Sequence, residues 1–155
     1  MSRIVCRTPS TGKAVHYLLS NVPITYTTIA SAPDFSVPDQ ADKFAYRDPT
    51  DSSRAIKEGE IFFITPISAM NKDTSTRWID IKIVAEDATT IEFGRVLVPA
   101  GDTALIPIQG RSLFKRNLGG SIGDILQVRS ETSNTFDVWT AGEEKPSNEH
   151  SGIVS

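Results

Sequence analysis

The sequence predicts an all-β protein, an antiparallel β-sandwich of the jelly-roll or immunoglobulin-like kind. Many short segments rich in β-branched and aromatic residues alternate with turn-forming residues, as strands do. In "TRWIDIKIVAED", apolar residues recur with period two, so Ile79, Ile81 and Ile83 face one side of a half-buried strand. No segment of about ten residues or more has the 3.6-residue period of a helix.

The first strands are predicted in "RIVCR" and "AVHYLLSNVPITYTTIA". Residues 31–55 then change character, because Pro33, Pro38 and Pro49 stand among many Asp and Ser residues. We interpret this segment as a long loop or arm. A loop of this length inside a compact domain is typically functional or packed on a neighbour. Strands resume at "GEIFFITPIS".

The stretch "GRVLVPAGDTALIPIQG", residues 94–110, predicts two strands joined by a tight connection. Proline at the second position and glycine at the fourth suit a type I turn that starts at Val98. Pro107 cannot donate a hydrogen bond to a neighbouring strand, so it marks an edge strand or a bulge. We therefore expect this stretch to be part of the scaffold rather than a catalytic loop.

The remaining segments complete the sandwich. "RSLFKRN" suggests a single helical turn and "LGGSIGD" a loop, whereas "DILQVRSETSNTFDVWTAGEE" predicts two strands with a turn at Ser133 and Asn134. The predicted organisation is one domain over residues 1–142, which includes the proline-rich arm 31–55. A polar, frayed tail follows over residues 143–155.

Composition excludes several classes of function. A chain of 155 residues is the size of one domain, and its single cysteine, Cys6, can form no disulfide within the chain. The net charge of −3 argues against a nucleic-acid binder, which shows a basic face. No apolar run approaches the ~20 residues that span a bilayer, and we expect no signal peptide.

The sequence offers no recognisable catalytic or cofactor site. "TPSTGKAV" resembles a phosphate loop only faintly, because Arg7 replaces the first glycine and Ala14 the hydroxyl residue. The two histidines, His16 and His150, have no metal-ligand spacing with Cys6. There is no G-x-S-x-G motif. We therefore expect a protein that is not an enzyme and that binds neither a metal nor another cofactor.

Two groups of residues are candidates for a protein interface. In the arm these are Phe35, Phe44 and Tyr46. A small basic cluster, Arg111, Lys115 and Arg116, lies beside a phenylalanine in "GRSLFKRN" and could meet an acidic partner or a phosphate, or could simply be a solvated loop.

The succession "TRWIDIKIV…GRVLVPAGDTALIPIQGRSLFKR…GDILQVRSETSNTFDVWTAGEE", within residues 76–144, resembles small structural proteins of tailed bacteriophage virions. It is most similar to those of contractile-tailed phages of cyanobacteria. The resemblance implies a β-rich capsid-decoration, tail or neck protein, made in the host cytoplasm and residing in the virion. It further implies docking on copies of itself and on other virion proteins, without direct contact with nucleic acid or membrane.

Two alternatives stay open from the sequence. A carbohydrate-binding or adhesin-like sandwich could stack Trp78, Trp139 or Tyr46 on sugar rings, although large aromatic residues also dominate cores and interfaces. An accessory domain of an enzyme, with no activity of its own, is the other alternative.

Overall fold

The computed structural model of the chain describes residues 13–33, 59–116 and 122–146. These residues form ten strands and no helix. All their strand pairings are antiparallel, which confirms the predicted fold class. The strands are β1 (Lys13–Leu19), β2 (Thr27–Ser31), β3 (Gly59–Phe63), β4 (Ile67–Asn71), β5 (Arg77–Val84), β6 (Thr90–Val98), β7 (Thr103–Ile106), β8 (Ser112–Lys115), β9 (Ile125–Ser130) and β10 (Phe136–Pro146).

The first sheet, called sheet A here, is organised around the long strand β10. Strand β1 pairs along one edge of β10, while β4 and β3 pair with successive parts of its other edge. Strands β7 and β8 then pair with β4 and β3, respectively. The six strands therefore occupy four positions across the sheet, because β3 with β4 and β7 with β8 lie end to end.

The second sheet, sheet B, has the order β2, β9, β5, β6. Its pairing of β5 with β6 shifts register between Asp80 and Lys82, where one residue of β5, Ile81, is matched against two of β6, Phe93 and Gly94. Gly94 lies in this bulge with a φ of 85°, a left-handed conformation that glycine adopts without strain. The bulge sets which β6 side chains stand beside the outward residues of β5.

One apolar core lies between the two sheets. Sheet B contributes Ile79, Ile81 and Ile83, which are at most 5% exposed, as the period-two pattern predicted. Sheet A contributes Phe63 and Phe136, both fully buried, together with the aliphatic residues of β3, β4 and β10. Burial of this apolar surface is the main favourable contribution to folding.

The hairpin at residues 94–110 forms as expected, but its turn differs from the predicted one. The amide of Asp102 donates to the carbonyl of Pro99 at 3.1 Å, so the turn begins at Pro99 and not at Val98. Gly101 then occupies the third position with a φ of 74°, as a type II turn requires. Pro107 directly follows β7, which agrees with its inability to extend the pairing.

Three further sequence predictions need correction. Residues 112–115 form strand β8, not a helical turn, because they pair with β3 in register from Ser112 to Lys115. The frayed tail does not begin at residue 143, because β10 continues to Pro146 and pairs there with β3. Residues 31–33 belong to the sandwich, where Ala32 is 6% exposed and its amide donates to Asp124. Residues 34–55 of the predicted arm lie outside the described residues.

Candidate interaction surfaces

Of the predicted interface residues, only the basic cluster lies within the described part of the chain. Phe35, Phe44 and Tyr46 lie outside the described residues. Lys115 is 2% exposed, because its position in β8 turns it towards the interior with Leu113.

The other two residues of the basic cluster are exposed, and each guanidinium lies against a ring. Arg111 lies 5.0 Å from the centre of Phe93, and Arg116 lies 4.3 Å from the centre of Phe114. The predicted charged rim is therefore reduced to these two separate cations.

The outer face of sheet A carries a row of exposed apolar side chains. Leu18 of β1 lies opposite Trp139 of β10, Trp139 opposite Ser68 of β4, and Ser68 opposite Leu105 of β7. Directly opposed residues of paired strands project from the same face of a sheet. Leu18 is 68%, Leu105 66% and Trp139 41% exposed. Met70, 37% exposed, is next to this row on β4.

We call Leu18, Met70, Leu105 and Trp139 the apolar face. Its two flanking carboxylates are both paired within the chain. Lys72 Nζ lies 3.0 Å from Asp137 Oδ1, and Lys145 Nζ lies 3.7 Å from Glu143 Oε1. The amide of Asn21 also donates to Asp137 Oδ1 at 2.9 Å. Each of these two pairs is neutral, and a further carboxylate on this side of the sheet, Glu60, lies opposite Lys145 and accepts a hydrogen bond from Ser112.

The outer face of sheet B has a different character, because charged and aromatic side chains from four neighbouring segments meet there. The carboxylate of Asp80 lies between two arginines. Arg95 Nε and Nη2 donate to its two oxygens at 3.0 and 3.1 Å, and Arg129 Nε donates to Oδ2 at 3.0 Å. Asp80 is only 8% exposed although it points away from the core, so its neighbours cover it.

Aromatic rings complete this group. The guanidinium of Arg95 lies 3.5 Å from the ring centre of Trp78. The Tyr26 ring has the ammonium of Lys82 at 3.8 Å and the guanidinium of Arg129 at 4.6 Å. Contacts of this kind between a cation and a ring face are favourable by about 0.5–1 kcal/mol at exposed sites. We call Tyr26, Trp78, Asp80, Lys82, Arg95 and Arg129 the arginine–aromatic cluster.

The electrostatics of the cluster keep Asp80 ionised. Partial burial raises the pKa of the Asp80 carboxyl, but the hydrogen bonds from Arg95 and Arg129 outweigh it, so this pKa lies below its ordinary value. The same hydrogen bond raises the pKa of the Arg95 guanidinium. The carboxylate therefore acts as a fixed anchor that orients two guanidinium groups.

The sequence analysis singled out Trp78 and Trp139 but did not predict either surface. The alternation in "TRWIDIKIVAED" that turns Ile79, Ile81 and Ile83 inward puts Trp78, Asp80 and Lys82 on the other side of the strand, and that was the signal for the cluster. The partners, Tyr26, Arg95 and Arg129, come from distant positions and could be added only once the strand order was known.

No metal or membrane-spanning element is evident in the described part of the chain. Within it, no group of three or more His, Cys, Asp or Glu side chains could hold a metal ion. His16 is an exposed residue of β1, whereas Cys6 and His150 lie outside the described residues. Among the described residues there is also no helix long and apolar enough to cross a membrane.

No protein-family model and no curated protein matches the chain. Among solved structures, it is similar to a pentameric capsid protein isolated from metagenomic phage sequences, with 16% identity and a TM-score of 0.32. That alignment covers 86% of this chain and 59% of the capsid protein.

The chain is also similar to the CBM22-1 and GH10 modules of a Clostridium thermocellum endo-1,4-β-D-xylanase complexed with xylohexaose. The identity is 10% and the TM-score 0.34, over 88% of this chain and 29% of the xylanase chain. The chain thus spans less than two thirds of either structure, and neither likeness is close enough to assign a function.

Proposed function

We propose that the protein is a non-enzymatic structural subunit of a tailed-phage virion, and that it associates with further copies of itself through the apolar face of sheet A. The finer form of the proposal is a capsid-decoration, tail or neck protein that also contacts other virion proteins. This finer form of the proposal is based on the resemblance of residues 76–144 to structural proteins of contractile-tailed phages, including those of cyanobacteria. The observation that carries the docking mode is the row formed by Leu18, Trp139 and Leu105.

The exposure of this row supports a docking role. Single exposed apolar residues are ordinary, but large contiguous apolar patches mark interaction sites. Leu18, Trp139 and Leu105 lie at one level across the strands of sheet A, in a row whose remaining position, between Trp139 and Leu105, is the small residue Ser68. Their side chains point away from the core and are not needed to fill it. Covering them with a partner would remove apolar area from water.

The charge pattern favours a second copy of the same chain as the partner. The carboxylates beside the row are neutralised by Lys72 and Lys145 of the same chain. These two pairs add no net charge, and each face offers the apolar surface that the other needs. Most oligomers of soluble proteins are symmetric assemblies of identical chains, and two sheets pack face to face readily.

The carbohydrate-binding alternative has less support. Trp139 is exposed, but the same row holds Leu18, Ser68 and Leu105, whereas a sugar site needs several polar groups that fix the ligand. Trp78 has the Arg95 guanidinium against its ring, so a sugar stacking on that face would have to displace an arginine held by Asp80. Tyr46 lies outside the described residues.

The test compares two leucine-to-aspartate variants of equal exposure on opposite sheets. Leu105 is 66% exposed in the apolar face and Leu97 is 67% exposed on sheet B. Molar mass is measured by light scattering over a concentration series. We expect the unmodified chain and Leu97→Asp to form oligomers, and Leu105→Asp to remain a monomer with an unchanged melting temperature. Oligomers of Leu105→Asp, or a monomeric unmodified chain at all concentrations, would contradict the proposal.

A further inference from the structure

The arginine–aromatic cluster lies on the face opposite to the proposed self-association surface, and self-association makes no use of it. Its composition is that of an interface centre, since Arg, Trp and Tyr are the residue types enriched in binding hot spots. Its six members come from β5, β6, β9 and the segment that leads into β2. Five of them are therefore fixed by strands of the sheet, and Tyr26 directly precedes β2.

The arginines have donors left over after binding Asp80. Arg129 uses only Nε for that carboxylate, and within the described residues its two Nη groups have no hydrogen-bond partner. Its side chain is 37% exposed and that of Arg95 is 50% exposed. Asp80 and the ring of Tyr26 hold the Arg129 guanidinium plane in place, so little conformational entropy is lost when a ligand binds its outer edge.

The geometry of the cluster favours a negatively charged ligand over a ligand whose ring stacks on Trp78 or Tyr26. A guanidinium edge with two free N–H groups matches a carboxylate in a bidentate arrangement. The Trp78 and Tyr26 rings, by contrast, have cations within 3.5 and 3.8 Å of their centres, which leaves the guanidinium and ammonium groups to meet the ligand.

The charge of the cluster itself agrees with this selection. Within it, Lys82, Arg95 and Arg129 carry three positive charges against the one negative charge of Asp80. Two further carboxylates lie next to the cluster, Glu92 opposite Lys82 and Glu131, which is paired with Arg77.

We propose that the arginine–aromatic cluster is a docking site for an acidic segment of a partner protein, with one partner carboxylate bound to the Nη groups of Arg129 and a second near Lys82. The proposal does not depend on self-association through sheet A.

The experiment uses an N-acetylated, C-amidated hexaglutamate peptide as the probe and a hexaserine peptide as the neutral control. Binding is followed at low salt by the backbone amide shifts of β5, β6 and β9. We expect hexaglutamate to move these signals, hexaserine to leave them in place, and the affinity to fall as salt is raised.

Three substitutions locate the site. Arg129→Gln should weaken hexaglutamate binding by about tenfold, because it removes both the positive charge and the paired N–H donors of the guanidinium. Arg129→Lys, which keeps the charge and the packing of the stem, should still weaken it by about threefold or more. Arg111→Gln, on an exposed arginine that also lies against a ring, should change it by less than about twofold.

Several results would overturn the proposal. They are no binding of hexaglutamate, an equal loss in Arg111→Gln, full affinity in Arg129→Lys and Arg129→Gln, or tighter binding of a neutral hexasaccharide at the same amides. The last result would indicate a carbohydrate site on this face.

Discussion

The buried side-chain amide of Asn71 donates a hydrogen bond to the carbonyl oxygen of Val98 at 2.9 Å. This bond joins the end of β4 in sheet A to the end of β6 in sheet B. The same Nδ2 group donates to Ser75 at 2.9 Å, and Oδ1 accepts from the amide of Asp73 at 2.9 Å. A single fully buried polar residue thus ties the two sheets together beside the turn that starts at Pro99.

Replacing this residue should destabilise the fold. Asn71→Ala leaves the buried carbonyl of Val98 without its donor, and we expect a loss of about 2–3 kcal/mol in the free energy of unfolding. Asn71→Asp keeps the acceptor for Asp73 but places a carboxylate against carbonyl oxygens, so it should cost at least as much. Urea denaturation measures both. A stable Asn71→Asp protein would show that the bond to Val98 contributes little.

Asp80 should make stability depend on acid pH. Its folded pKa lies below its unfolded value of about 3.9, so its contribution is fully present above about pH 5 and disappears as pH falls through the folded pKa. Asp80→Asn should lower the free energy of unfolding at pH 7 by about 1–2 kcal/mol. Once the pH is below the folded pKa of Asp80, the variant and the unmodified chain should converge.

The control for this prediction is Asp102→Asn. Asp102 is exposed, and its side chain makes no hydrogen bond to another described residue. Its substitution should leave the free energy of unfolding within about 0.5 kcal/mol at every pH. A constant difference between Asp80→Asn and the unmodified chain from pH 7 to pH 2 would refute the ionic role of Asp80.

The parts of the fold that depend on local pattern were predictable. Ile79, Ile81 and Ile83 alternate with polar residues, and all three are in the core. Residues 112–115 were not predictable from their own pattern. Their partner is β3, about 50 residues earlier in the chain, and only this pairing makes them a strand that buries Lys115.

The surfaces depended on information that a linear pattern does not contain. Leu18, Trp139 and Leu105 come together only because β1, β10, β4 and β7 are neighbours in that order. In the sequence, nothing connects Leu18 and Leu105 with Trp139, which drew attention only as an aromatic residue that could stack on a sugar. The basic cluster at residues 111–116 was the charged group that the sequence made visible. Strand β8 turns Lys115 into the interior, so only Arg111 and Arg116 stay exposed.

The emission of Trp139 tests the central claim most directly, because this residue lies in the middle of the apolar face. The chain has two tryptophans, so Trp78→Phe leaves Trp139 as the sole reporter. We predict that its emission shifts to longer wavelength on dilution, over the same concentration range in which the molar mass falls to that of one chain. An emission maximum that stays constant while the mass falls would show that the copies associate through another surface and would contradict the account.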